Sequence, residues 1–258
     1  MSVGIDVTLG EVAASLVLVA IAVAISRWSS AELEGEMGVA VLRSFVQLTA
    51  IGYVIQVIFD DGSLWLVAAL LVASIGFGTL TARSRARKVP DATLPLLIAL
   101  STAAATTIGL VVALGIFETT ARYLVPVGGM VIGNAMTASA VALNRLGDEF
   151  EQGASEIEAT LALGATARTA ALPHLRRALR SGTIALIDST KTTGLIFFPG
   201  TMVGMLLAGA EPKDAVRLQL ILLWVLLGAA AISALVSTTL AYRNFFTEAH
   251  QLRDPPPP

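Results

Sequence analysis

Residues 64–82 read LWLVAALLVASIGFGTLTA and contain no charged side chain. Because the hydrocarbon core of a bilayer takes about 20 apolar residues in helical form, this stretch predicts a membrane-spanning helix. Apolar runs of similar length predict further spans over residues 9–25, 38–58, 94–117, 123–143, 183–208 and 215–241. We therefore predict an all-α polytopic membrane protein, built as one transmembrane domain over 1–258 with about seven spanning helices.

The composition excludes most soluble functions. Hydrophobic residues make up 55% of the 258 residues, charged residues make up 14%, and the mean hydropathy is +0.77. An ordinary soluble domain carries about 25% charged residues. The net charge of −2 gives no electrostatic reason to expect a nucleic-acid partner. The absence of cysteine excludes disulfides, thiolate metal sites and cysteine nucleophiles.

Basic residues fall mainly in alternate connections between the predicted spans. Twelve of the 17 lie on one side: Arg27, Arg83, Arg85, Arg87, Lys88, Arg145, Arg168, Arg176, Arg177, Arg180, Arg243 and Arg253. Three lie on the other side: Arg122, Lys213 and Arg217. Because cytoplasmic loops carry the excess of Lys and Arg, we predict an outside N-terminus and a cytoplasmic C-terminus in the cell (inner or plasma) membrane.

One long polar insertion, at about 147–182, lies between the fifth and sixth predicted spans. Ser155 and Glu158 have the Ser-x-x-Glu spacing of a capping box, which predicts that a short helix begins there. Gly164 predicts the end of this helix, because glycine readily takes the left-handed conformation that follows many helices.

A second short helix is predicted to start at Thr166. Pro173 predicts its end, a kink, or the first turn of the next helix. The surrounding residues form a basic amphipathic approach to the sixth span: Leu172, Leu175, Arg176, Arg177, Leu179 and Arg180. Two interpretations remain open. Either these helices lie on the inner leaflet with their arginines near anionic lipid, or they dock a cytoplasmic partner.

The insertion and the spans around it carry a series of motifs: LRSFVQ (42–47), PVGGMVIGNAMTA (126–138), IEATLALGAT (157–166), ALIDSTKTTG (185–194), FPG (198–200), TMVGM (201–205) and AGAEPKDA (208–215). Together these motifs resemble the FetB-type family of ABC-transporter permeases, bacterial iron-export permeases related to the plant aluminium-tolerance permeases. The resemblance runs from the second span to the start of the seventh. One departure is that many members have Leu-Pro-Gly where this chain has Phe198-Pro199-Gly200.

The resemblance implies a homodimeric permease that exports metal, iron in the bacterial members, and works with a separate cytoplasmic ATPase. The insertion would then be the coupling element that docks into the ATPase, through Glu158, Ala159, Gly164, Ala165, Thr166, Pro173 and Arg176. The chain has no GxxxxGK[ST] phosphate loop. We therefore expect this chain not to be an enzyme and to bind no cofactor, with ATP and Mg²⁺ on the partner ATPase.

Apart from Glu11 and Arg217 at the ends of their spans, three charged residues lie inside predicted spans, where a charge is costly and needs a reason. Asp188 and Lys191 are three residues apart in the sixth span and share one helical face. Arg43 and Gln47 share one face of the second span in the same way. One interpretation is a structural ion pair, with Arg43 and Lys191 extending towards the headgroups. The other is a cytoplasm-facing vestibule that admits substrate or relays a conformational change.

Further candidates for the transport pathway are uncharged. Pro199 and Gly200 predict a break in the sixth span, and a broken helix can line a gate or a cavity. Asn134 can hydrogen-bond across a helix interface. Met202 offers a thioether, although methionine in a membrane usually serves packing.

Two GxxxG pairs, 129–133 and 200–204, would let helix backbones approach closely. Internal helix packing is the favoured interpretation of these pairs, ahead of a dimer seam. The histidines, His174 and His250, are far apart in the sequence, so the metal ligands stay unknown.

The sequence therefore predicts the membrane subunit of a two-component ABC transporter, with metal as the first substrate class. One alternative is the same machine moving a nucleotide-sugar or another organic solute. A second alternative is an ion-coupled secondary transporter that uses Asp188 and Lys191 as the coupling pair. A third is a non-transporting membrane scaffold. The tail over 253–258 is short and proline-rich, which predicts a disordered, polyproline-like segment.

Overall fold

The structure, a computed structural model, describes residues 8–253. This part of the chain forms nine α-helices: α1 Leu9–Trp28, α2 Glu34–Asp61, α3 Leu64–Arg85, α4 Thr93–Ala113, α5 Ala121–Gln152, α6 Ala154–Ala162, α7 Ala167–Thr192, α8 Gly200–Leu207 and α9 Pro212–Ala241. A short 3-10 helix, Tyr242–Phe245, follows α9. The predicted all-α architecture is confirmed. The prolines of the predicted disordered tail, 255–258, lie outside the described residues.

Six helices of the described chain are long and apolar enough to cross a membrane, namely α1 to α5 and α9. The chain is therefore a multi-pass membrane protein, as predicted. Of the seven predicted spans, the one over 183–208 does not form a single long helix. Its residues are divided among the end of α7, a loop over 193–199 and the short α8.

The helix break in the predicted sixth span begins several residues before Pro199, the residue from which it was predicted. α7 ends at Thr192, and Gly194 then takes a φ of 89°, a conformation that favours glycine. Pro199 is buried and stands immediately before α8, where its missing N–H costs no intrahelical hydrogen bond. The prediction of a broken helix is confirmed, while the predicted position of the break is corrected to Thr193.

α5 is the centre of the bundle and packs against α3, α4, α7 and α9. Small side chains allow this packing, since Ala135, Ala138 and Ala142 are buried on α5. Ser233 of α9 donates a hydrogen bond to the carbonyl oxygen of Ala135 at 3.0 Å. α1 and α2, by contrast, carry almost no buried side chains in their apolar segments. Lipid or another protein must therefore cover these two helices.

The predicted capping box at the start of α6 is wrong. α6 begins one residue before Ser155, after Gly153, and no side chain caps its first turn. Ser155 therefore lies inside the helix. The turn between α5 and α6 is too tight to leave a separate capping residue, because Gly153 is both the last cap of α5 and the first cap of α6.

The two helices predicted around Pro173 are one continuous helix. Thr166 caps α7 as predicted, because its hydroxyl oxygen accepts a hydrogen bond from the N–H of Thr169 at 3.3 Å. α7 then runs through Pro173 without ending. The carbonyl of Thr169 loses its intrahelical partner to the proline, but Thr169 is exposed and its carbonyl can bind water.

The backbones of α7 and α5 approach closely at Gly182. A Cβ atom added to Gly182 would lie 2.7 Å from both the carbonyl oxygen of Ala138 and the Cβ of Ala142. Glycine at this position therefore sets the distance between the two helices.

We expect Gly182→Ala to lower the free energy of unfolding of the detergent-solubilised protein by about 1–3 kcal/mol, because the methyl group overpacks the contact with α5. Gly109→Ala in α4 is the matched control, since nothing lies within 4 Å of a Cβ atom added there. Alanine also has the higher helix propensity, so the control should be neutral or stabilising. Thermal unfolding followed by circular dichroism compares the variants, and equal stabilities would contradict the close approach.

Candidate functional site

A buried carboxylate joins the end of α5 to α7. The side chain of Glu149 is 7% exposed and its two oxygens bind two guanidinium groups, Arg145 Nη2 at 2.6 Å and Arg177 Nε at 2.5 Å. His174 Nδ1 lies 3.4 Å from the same carboxylate. Arg145 comes from α5, whereas His174 and Arg177 come from α7. We call these four residues the charged hub.

His174 is buried, and its ring fills the turn between α5 and α6. Arg177 Nη2 lies 2.9 Å from His174 Nδ1, and since a guanidinium can only donate, Nδ1 accepts and the ring proton sits on Nε2. Nε2 has no hydrogen-bond partner among residues 8–253, and Glu156 Oε2 of α6 lies 4.0 Å from it. A Cβ atom at Gly153 would collide with the imidazole ring. Glycine is therefore required where α6 begins.

α6 is anchored on one face and open on the other. Ile157 is fully buried in the core beneath it. On the opposite face Glu158 and Ala159 are exposed, and Leu163, the residue after the helix, is 89% exposed. Gly164 has a φ of 85°, so the predicted left-handed turn is confirmed. We call Glu158, Ala159 and Leu163 the α6 face.

The remaining predicted coupling residues lie between α6 and the first half of α7. Ala165 is half-buried, whereas Thr166, Pro173 and Arg176 are exposed. The structure thus brings the predicted coupling residues to one end of the molecule, on both sides of the turn at Gly164.

The connection between α3 and α4 reaches the same end. Lys88 Nζ donates hydrogen bonds to Asp148 and Glu151, both at 2.8 Å, and these bonds raise the pKa of Lys88. Asn244 Nδ2 donates to the carbonyl oxygen of Pro90 at 3.0 Å. The α3–α4 connection, the end of α5, the start of α7 and the C-terminal segment therefore meet at what we call the basic end.

Asp188 and Lys191 form an ion pair on α7. Lys191 Nζ lies 3.1 Å from Asp188 Oδ1, and the side chains are 57% and 67% exposed. Asp188 follows Arg180 by eight residues, or about 12 Å along the helix. Half of a hydrocarbon core is about 15 Å thick, so the predicted span over 183–208 would place the pair near the middle of the membrane. Lipid is a poor neighbour for charges at that depth, so water or another protein must cover the pair.

Arg43 and Gln47 are both exposed on α2. Among the residues that the structure describes, Arg43 has no ion-pair partner. No hydrogen bond or ion pair joins either residue to Asp188 or Lys191. The four polar residues of the predicted vestibule therefore do not come together within one chain. Arg43 follows the start of α2 by nine residues, or about 14 Å along the helix.

The uncharged candidates differ in exposure, and Pro199 is the buried one. Asn134 is half-buried and its Nδ2 donates to the carbonyl oxygen of Met130 at 2.9 Å. Met202 is half-buried on α8, and Gly200 beside the interruption is exposed.

The glycine pairs do not serve internal packing, so that prediction is wrong. Nothing lies within 4 Å of a Cβ atom added at Gly129, Gly133, Gly200 or Gly204. The close approaches are made by other glycines, among them Gly182 and Gly153.

Candidate metal ligands do not cluster within one chain. In the described range, 8–253, no group of three or more His, Cys, Asp or Glu side chains is arranged to hold a metal ion.

Sequence reasoning missed the charged hub because it treated the segment after residue 143 as a polar insertion. The structure continues α5 to Gln152, so Glu149 is inside a helix. A local signal existed, since Arg145 and Glu149 have the spacing of a helical ion pair and Glu149 precedes the apolar Phe150. The pairing of Glu149 with α7 depends on tertiary structure and has no local signal.

Comparison with known proteins gives the family. The sequence profile of a family described as "Uncharacterised protein family (UPF0014)" matches residues 9–246. The chain belongs to the UPF0014 family. No solved structure matches the chain.

Several UPF0014 relatives match this chain over nearly its whole length. It is 41% identical to Protein ALUMINUM SENSITIVE 3 of Arabidopsis thaliana, over 93% of this chain and 88% of the relative. It is 41% identical to UPF0014 membrane protein STAR2 of Oryza sativa subsp. japonica, over 93% and 85%. It is 34% identical to the Probable iron export permease protein FetB of Escherichia coli (strain K12), over 96% and 95%. The resemblance predicted from the motifs is confirmed.

We expect Glu149→Gln to lower the free energy of unfolding by about 2 kcal/mol, because two charge-assisted hydrogen bonds to a buried carboxylate are weakened together. The partner arginines are half-exposed, so water offsets part of the loss. Glu151→Gln is the control, since it removes the same charge from an exposed carboxylate. Thermal unfolding and hydrogen exchange of the α6 amides measure the change. Equal effects of the two variants would show that the charged hub has no special role.

Proposed function

We propose that this chain is the membrane-spanning permease subunit of an ABC transporter that exports metal, iron first, and that a separate cytoplasmic ATPase hydrolyses the ATP. One observation carries this proposal: the chain aligns from end to end with an E. coli relative named a probable iron export permease. The absence of a GxxxxGK[ST] phosphate loop in the sequence agrees with an ATPase on another chain. The permease subunit itself is then not an enzyme.

The α6 face is the proposed docking surface for the ATPase. A short helix anchored by Ile157 and held against the charged hub can transmit force without deforming. Leu163 is the apolar side chain at its tip, and an anchor of this kind gains binding energy when a partner pocket removes it from water. The basic end, which carries the α6 face, then lies in the cytoplasm, in agreement with the distribution of Lys and Arg.

α7 is the proposed connection between docking and transport. It is continuous from Ala167 to Thr192, so its two ends move together. The charged hub holds its first half beside α6, and its second half carries Asp188 and Lys191. Rotation or tilt of α6 driven by the ATPase would therefore reposition the ion pair in the membrane.

We propose that a second copy of the chain packs against the exposed polar surfaces that lipid cannot solvate. Asp188 and Lys191 are exposed at mid-membrane depth, and Arg43 is exposed on the poorly packed α2. The glycine pair at 129–133 is open as well, which would let a partner helix approach closely. In a symmetric dimer each contact occurs twice, so two copies of these polar groups would line one central pathway.

Metal is the proposed substrate class, with a nucleotide-sugar or another organic solute as the alternative. Carboxylate and amide oxygens such as those of Asp188 and Asn134 suit a divalent ion that must be released again. The alternative is favoured by one observation: within the described residues no metal-ligand cluster forms in a single copy. ATPase stimulation of the reconstituted pair across a series of metals and nucleotide-sugars separates the two.

We expect Leu163→Asp to abolish stable association with the ATPase, because a charge replaces the apolar anchor of the α6 face. The loss of an interface hot spot is worth about 2 kcal/mol or more, or roughly a 30-fold weaker complex. Folding should be unaffected, since Leu163 is 89% exposed. Gln251→Asp places the same charge at another exposed position and is the control. Co-purification with the ATPase is the measurement, and undiminished association of Leu163→Asp would refute the docking surface.

We expect Asp188→Asn to abolish transport while leaving membrane insertion and ATPase association intact, because it removes the acidic half of the ion pair on α7. Asp214→Asn is a closely matched control: Asp214 also pairs with a basic residue three positions later, Arg217 at 3.4 Å, but at the start of α9. Metal efflux from cells or vesicles containing each variant is the measurement. Normal efflux with Asp188→Asn would exclude this pair from the pathway.

A further inference from the structure

A cavity of about 270 Å³ lies at the basic end, between the first half of α7 and the end of α9. Three arginines and several leucines line it, among them Arg168, Arg176, Arg243, Leu172, Leu179 and Leu235. None of the three arginines has an ion-pair partner within residues 8–253. The cavity therefore combines uncompensated positive charge with an apolar wall.

The position of the cavity matches the edge of the membrane. Leu179 lies four residues before the apolar run that starts at residue 183. Arg168 lies eleven residues before Leu179, or about 16 Å along α7. The headgroup layer on each side of a bilayer is about 5–7 Å deep. The lining thus reaches from the hydrocarbon edge to beyond the headgroup layer. Leu179 and Leu235 lie nearest the apolar segments, Arg168 and Arg243 lie farthest from them, and Leu172 and Arg176 lie in between.

We propose that this cavity binds an anionic phospholipid, whose phosphate contacts the arginines and whose acyl chains leave along the leucines. A guanidinium group can bind a phosphate through two parallel hydrogen bonds, and basic pockets between membrane helices bind anionic headgroups. A soluble anion would use the arginines alone and leave the leucines in water. Arg176 is the one predicted coupling residue that lines the cavity, whereas the residues of the α6 face do not line it.

Native mass spectrometry of the full-length chain tests the proposal, after incubation with equal amounts of phosphatidylglycerol and phosphatidylcholine. The wild type should retain phosphatidylglycerol preferentially. Arg168→Gln with Arg243→Gln should reduce this preference roughly tenfold or more, because each arginine near an anionic lipid surface strengthens lipid binding roughly fivefold. Arg176 stays, since it is also a proposed coupling residue. Arg85→Gln with Arg253→Gln removes two exposed basic charges outside the cavity and should keep the preference.

A second measurement needs no variant. A photoactivatable phosphatidylglycerol in vesicles should label the wild-type chain within 168–179 and 235–243, as located by peptide mass spectrometry. Labelling that favours neither segment over the exposed helices α1 and α2 would overturn the proposal. So would equal lipid preferences in the two double variants, or displacement of the lipid by millimolar inorganic phosphate.

Discussion

The buried carboxylate of Glu149 is the constraint on which the basic end depends. A carboxylate taken out of water must be paired, and here the guanidinium groups of Arg145 and Arg177 pair with it. Because the partners come from both α5 and α7, the pairing fixes where these helices meet. Gly153 makes room for the imidazole ring, so the same cluster also places α6. The proposed docking surface is therefore rigid because of a charge buried behind it.

The bilayer supplies the second constraint. Asp188 and Lys191 are exposed on α7 within the predicted span over 183–208, where hydrocarbon would not solvate them. The lightly packed α2 carries an exposed Arg43 within its apolar segment. A single copy therefore has polar groups that only water or protein can cover, which agrees with a pathway between two copies. In the proposed arrangement, α7 extends from the charged hub to the ion pair of Asp188 and Lys191.

The sequence predicts the fold class and most spans because long apolar runs are a local property that any bilayer-spanning helix must have. It also predicts the turn at Gly164 and the cap at Thr166, since each rests on a single residue's chemistry. It could not predict the hub or the course of α7 through Pro173, because both depend on contacts or solvent exposure that tertiary structure decides. The prediction that the glycine pairs serve internal packing is wrong for the same reason, because spacing alone does not tell which face of a helix contacts another helix.

ATP-dependent export by the reconstituted complex tests the central claim most directly. The purified chain and its ATPase are placed in liposomes, and movement of ferrous iron is followed with ATP, without ATP, and under imposed proton or sodium gradients. If the chain is an ABC permease, iron flux requires both chains and ATP and does not respond to the proton or sodium gradients. Flux through this chain alone, driven by a proton or sodium gradient in the absence of ATP, would contradict the claim and identify a secondary transporter.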